Sequence, residues 1–246
     1  MDTIFYGWPW LALVLAPVIL AALVLERRSE GAPSRMRDPA FVLGLFWPMY
    51  MAHQFEEHGI DLRGRRYSFL ASLCATLGYG APQHGASHVG HGMHVGCPAD
   101  PAFLFAVNAV AVWLAGAIAL ATRRSRPDVA AAAWGIAAFN AITHIVASLR
   151  TGAYNPGVFT SLVLFIPMSV YMIRLLAKEK ILTPRGLIAR VMFVGLVTHG
   201  VLLASLALLS RGVLSHTAAL VINGLNGLVP LVFLLVKPRD GRASTA

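Results

Sequence analysis

His53, Glu56 and Glu57 stand close together in a run that is otherwise largely apolar, Met51-Ala52-His53-Gln54-Phe55-Glu56-Glu57-His58. On a helix at 100° per residue these three share one face, and His58 points elsewhere. Ligands at i and i+4 converge on one metal ion, as in the zinc helix HExxH. His53 and Glu57 therefore read as metal ligands and Glu56 as a general base or a second-metal ligand. A charge near the centre of a membrane helix costs on the order of 2.5–3.5 kcal/mol, and a divalent metal offsets that cost. The plain alternative is a cluster just outside the hydrocarbon, with Glu57 solvated and His53 hydrogen-bonded to a carbonyl or to Glu56.

Further polar residues interrupt later apolar runs. Asn140 and His144 are again at i and i+4, Asn108 lies in the preceding run, and His199, His216, Asn223 and Asn226 fall in the last two. Any one alone is most often a packing residue. A rise of 1.5 Å per residue puts His53, His144 and Asn108 roughly 6–10 Å below the same membrane face, and His199 about 18 Å below it. His144 thus joins the ligand set. His216 opens the last run, with Asn223 on the same face, and is a further metal candidate. Asn108, Asn140, Tyr154, Asn155 and Asn223 are the expected supporting residues, and Asn155-Pro156-Gly157 reads as a helix-to-helix turn. A Gly- and His-rich stretch, 81–100, holds His84, His88, His91, His94 and Cys97. It reads as a loop for capturing zinc or copper, or as a solvated loop that happens to be rich in histidine.

The elements that would position these residues are membrane helices. Of 246 residues, 57% are hydrophobic and 13% charged, and the mean hydropathy is +0.66, which sets a water-soluble domain aside. Apolar runs near 8–25, 40–57, 101–122, 129–149, 157–176, 187–210 and 215–236 predict an all-α polytopic bundle of about seven spans, or six if the first or second run is not a full span. One membrane domain, 1–246, is expected, and the first run reads as a retained helix rather than a cleaved signal. The net charge of +9 comes from short basic clusters between runs, which read as topology signals and not as a nucleic-acid surface.

Arg27, Arg28, Arg35 and Arg37, then Arg123, Arg124 and Arg126, then Lys178, Lys180 and Arg185, and finally Lys237, Arg239 and Arg242 all fall on one side. The positive-inside rule makes that side cytoplasmic, with the N-terminus outside and the C-terminus inside a cell membrane. Arg63, Arg65 and Arg66 conflict with this. The conflict is met by reading 67–80, too short to span, as an interfacial or re-entrant segment with the arginines at lipid headgroups. Only two cysteines occur; a Cys74–Cys97 bridge is available but not expected.

His53-Gln54-Phe55-Glu56-Glu57, Asn140-Ala141-Ile142-Thr143-His144 and Tyr154-Asn155-Pro156-Gly157, in that order, resemble the HXXEE family of membrane proteins over roughly residues 40–176. The resemblance implies that His53, Glu56 and Glu57 are the motif positions, with Asn140, His144 and the Asn155-Pro156-Gly157 turn as companions. It implies a site and no particular reaction. The His-rich loop and the last two runs, 187–236, stand outside it.

The leading expectation is a membrane metalloenzyme with one or two divalent ions, iron or zinc, acting on a lipid or another hydrophobic small molecule as a zinc hydrolase or a non-haem iron oxidoreductase. A metal or proton transporter would use similar groups, with His199 on its path. An accessory protein would use them only as hydrogen bonds between helices. Oligomeric state is not legible.

Overall fold

In lipid a backbone must satisfy its own hydrogen bonds, so a chain this apolar is committed to helices. The computed structural model describes residues 2–27, 29–79 and 97–236, and these are helical apart from connections and one isolated Ile60–Arg66 bridge. His84, His88, His91 and His94 lie outside the described residues.

Besides a short 3-10 helix at Arg35–Arg37, nine helices follow in order among the described residues: α1 (Asp2–Leu25), α2 (Pro39–Gly44), α3 (Phe46–His58), α4 (Ser68–Thr76), α5 (Pro101–Thr122), α6 (Pro127–Thr151), α7 (Val158–Lys178), α8 (Pro184–Ser210) and α9 (His216–Leu234). Six of them, α1 and α5 to α9, are long and apolar enough to cross a membrane, which makes the chain a multi-pass membrane protein. The second apolar run forms α2 and α3. Together they reach from Pro39 to His58, roughly 30 Å at helical rise, but with polar residues packed into the last turns.

Helix α6 is the centre of the bundle. Ala130, Ala131, Ala132, Ala133 and Trp134 are fully buried on it because neighbours pack around it on several sides. Phe46, Tyr50, Phe165, Met172 and Leu187 close the core. Small residues let α6 and α8 approach backbone to backbone: a β-carbon on Gly135 would overlap the Val191 carbonyl, and one on Gly195 would meet the Gly135 oxygen at 2.8 Å. Pro127 opens α6 and Gly152, with φ 62°, ends it in the left-handed conformation.

Helix α4 is short, consistent with a non-spanning 67–80 segment, and it is tied to the start of α5 by a Cys74–Cys97 disulfide. That bridge corrects two expectations. The cysteines are paired, and the Cys97 sulfur, held in a disulfide, is not a thiolate ligand for a loop metal.

Candidate metal centre

The last turns of α3 bury five consecutive or near-consecutive polar residues, His53, Gln54, Glu56, Glu57 and His58. The Glu57 carboxylate is their focus. His53 Nε2 lies 3.4 Å from Glu57 Oε2, and His144 Nε2, from α6, lies 3.4 Å from Oε1. His58 Nε2 approaches Oε2 at 3.1 Å. Yet Glu57 Oε2, His58 Nε2 and His144 Nε2 have no hydrogen-bond partner among the described residues. The ligand atoms of His53, Glu57 and His144 all lie within 4.8 Å of one another.

The surrounding hydrogen bonds assign both imidazole tautomers. Thr160 Oγ1 lies 2.5 Å from Glu56 Oε2 and 2.7 Å from His53 Nδ1. A carboxylate only accepts, so the hydroxyl donates to Glu56 and accepts from His53 Nδ1–H. The lone pair of His53 is therefore on Nε2, where the Asn140 amide donates at 2.8 Å. His144 Nδ1–H donates to Asn155 Oδ1 at 2.5 Å, which leaves its Nε2 bare toward Glu57. Metal-bound histidines are oriented by partners of this kind on the other ring nitrogen. Buried lone pairs on His144 Nε2 and Glu57 Oε2 without a donor are costly as they stand, and a divalent cation there would meet both and take the His53 Nε2 lone pair from the Asn140 amide. The residues fit a metal ion.

Glu56, expected as a general base or second-metal ligand, is bound to the turn before α7. Its carboxylate accepts from the Tyr154 hydroxyl at 2.8 Å, from the Phe159 and Thr160 backbone amides at 3.2 and 2.8 Å, and from the Thr160 hydroxyl. It thereby satisfies the first amides of α7 and holds that turn in place.

That turn is a wedge as well as a connection. Gly157 has φ +93°, and a β-carbon there would meet the Cε1 atoms of both His53 and His144 at 2.8 Å. Glycine lets the backbone pass between the two imidazoles.

Other expected residues are placed elsewhere. His216 is largely exposed and pairs with Asp100 at 3.0 Å, away from the group that converges on Glu57, so it is not a ligand of this centre. Asn108 donates to the Leu104 carbonyl of its own helix, and its backbone oxygen, inside the π-helical stretch Ala106–Val112, accepts from Gln54 Nε2 at 2.8 Å. Such a stretch shifts the hydrogen-bond register and frees a carbonyl for a side chain. Asn223 bonds the Ala219 carbonyl within α9. His199 Nδ1 lies 2.9 Å from the Gly195 carbonyl of its own helix.

Sequence reasoning missed three contributors, His58, Gln54 and Thr160, and named Gly157 only as part of the Asn155-Pro156-Gly157 turn. Ideal helical angles point His58 away from the motif face, but they do not account for the reach of a ring at the end of a helix. Gln54, held between the Asn108 carbonyl and Trp113 Nε1, sat inside the motif as a spacer. For Thr160 and Gly157 the sequence carries no signal beyond the turn itself.

Beside the centre, the α3–α4 connection folds around Asp61, which accepts from the backbone amides of Arg63 and Arg65 and the Ser68 hydroxyl. Burial pushes its carboxyl up, but these hydrogen bonds outweigh burial and hold it below its usual value. Burial and contact with Glu56 push the Tyr154 hydroxyl above its usual value, so it stays a donor.

A polytopic helical bundle with a buried His/Glu cluster near one face defines the class. The model of a family described as proteins of unknown function with an HXXEE motif matches residues 44–172, more than half of the chain, and the chain belongs to that HXXEE family. In this chain the motif is His53, Glu56 and Glu57. Comparison with curated proteins and with solved structures gives no match.

Proposed function

We propose that this protein is an integral membrane metalloenzyme whose ion is held by His53 Nε2, His144 Nε2 and Glu57, and which acts on a hydrophobic small molecule such as a lipid. The observation that carries the reading is the buried, unpartnered His144 Nε2 beside the Glu57 carboxylate, whose Oε2 is also unpartnered, with His53 Nε2 3.4 Å from the same carboxylate. A two-histidine, one-carboxylate set with an open position suits zinc, which activates water for hydrolysis, or iron, which supports oxygen chemistry.

The chain's own groups have distinct tasks in this account. Thr160 and Asn155 hold the Nδ1 protons of His53 and His144 and so fix which nitrogens face the ion. Glu56 and Gly157 set the turn that brings Thr160 into place. The Asn140 amide brings a donor to the centre, suited to orienting an oxygen of the substrate. Phe165 and Phe69, with ring centroids 4.5 Å from His53 and 5.6 Å from His144, limit access of water.

The centre is assigned to the outer face of a cell membrane. A disulfide persists in an oxidising compartment, which favours the outside for the Cys74–Cys97 face. With α2 and α3 together taken as a seventh crossing, the basic clusters after α1, α5 and α7 lie in the cytoplasm, with the N-terminus outside and the C-terminus inside.

The test is elemental mass spectrometry on protein purified without a histidine tag. Iron or zinc near one ion per chain is expected for the wild type, falling at least tenfold in His53→Ala, Glu57→Gln and His144→Ala. Equal metal content in all four would overturn the ligand assignment.

A further inference from the structure

The metal centre does not use the cavity beside it. A cavity of about 500 Å³ opens between the α3–α4 connection, α4, the end of α6 and the Tyr154–Pro156 turn, within the range of small-molecule sites. Arg63, Arg65 and Arg66 line it, with Ser68, Ser72 and Thr151 among the polar residues on its walls. Arg65 is engaged by Asp61. Arg63 lies over the Tyr154 ring at 5.2 Å and Arg66 over the Trp10 ring at 5.8 Å, and among the described residues neither has an acidic partner. Two guanidiniums steadied on aromatic faces, without carboxylates to neutralise them, make a receptor for a phosphate-like anion.

Apolar residues share the cavity wall with the arginines: Leu70, Ala71, Ala147, Ala153 and Pro156 line it. A ligand anchored at the arginines can lay its chains against them. The cavity wall is also the support of the metal centre. Asn155 lines the cavity and holds His144, while Tyr154 lines it, receives the Leu62 amide and donates to Glu56.

We propose that this cavity binds the anionic phosphate headgroup of an amphiphilic lipid, held by Arg63 and Arg66, and that such a lipid is the substrate class presented to the neighbouring centre. The substrate assignment rests on the metalloenzyme reading; the binding does not. It also accounts for three arginines on the face opposite the other basic clusters, where the positive-inside rule disfavours them.

The experiment is calorimetric titration of the purified chain, in a non-ionic detergent, with dihexanoyl phosphatidic acid, with dihexanoyl phosphatidylcholine and with inorganic phosphate. Phosphatidic acid is expected to bind saturably and at least tenfold more tightly than either of the others. Arg63→Gln combined with Arg66→Gln, which leaves the Asp61–Arg65 pair intact, is expected to weaken it at least tenfold with an unchanged unfolding midpoint and unchanged metal content. Equal binding of phosphatidylcholine, or no loss in the double variant, overturns the anion receptor. Inorganic phosphate binding as tightly as the lipid overturns the amphiphile. Anionic preference in a chain that holds no metal keeps the cavity and removes its assignment as a substrate site.

Discussion

At Gly157 one β-carbon decides whether two imidazoles can face the same carboxylate. Alanine there meets both Cε1 atoms and takes on a left-handed φ. Gly157→Ala is expected to cut bound metal at least tenfold while circular dichroism shows the helices intact; metal content like that of the wild type would contradict the wedge. Thr160 makes the same point with hydrogen bonds. Thr160→Val keeps the volume but removes a donor from Glu56 and leaves the His53 Nδ1 proton without its acceptor, a loss of roughly 1–3 kcal/mol. Metal affinity is expected to fall about tenfold by that estimate and to recover in Thr160→Ser; valine and serine variants with equal affinity would remove Thr160 from the account. His53, Glu57 and His144 were legible in the sequence because i and i+4 spacing and helical rise bring them to one depth. Thr160 was not, and Gly157 only as the end of a turn, because their role comes from a segment about a hundred residues from the motif.

At the scale of elements, the connection between α3 and α4 depends on an ionised carboxylate. Asp61 is held below its usual value in the fold, so its contribution is complete above the unfolded value near about 3.9 and is lost as pH falls through the lower folded value. The difference in unfolding midpoint between the wild type and Asp61→Asn should therefore shrink between about pH 6 and about pH 3. A difference constant across that range would show that the Asp61 charge does not hold the connection. Periodicity and length made the helices readable. The π-helical stretch around Asn108 was not, since it follows from packing and from a side chain that captures a freed carbonyl; the break between α2 and α3 falls where Pro48 offers no N–H to the Gly44 carbonyl. The Cys74–Cys97 bridge is not expected from the sequence because two cysteines in a chain this long carry no pairing signal; only the short α4 lying beside the start of α5 makes the pair adjacent.

At the scale of the whole molecule, the centre stays in register because α6 cannot shift against its neighbours. Its closest crossing is at Gly135, where alanine would drive a methyl into the Val191 carbonyl. Gly135→Ala is expected to destabilise the bundle by about 1–3 kcal/mol, seen as a lower unfolding midpoint in detergent, as for other overpacked interiors. An unchanged midpoint would show that the α6–α8 contact is looser than drawn. The bundle thus holds His144 on a rigid central helix and His53 and Glu57 on α3, and the ion, where bound, joins the two. X-ray absorption spectroscopy of the metal-loaded wild type tests this most directly. The account predicts two imidazole nitrogens at roughly 2.0–2.1 Å with oxygen donors completing the shell, one imidazole fewer in the ion that His144→Ala takes up from excess metal, and no sulfur. Four imidazoles around the ion, or a spectrum unchanged by His144→Ala, would contradict it.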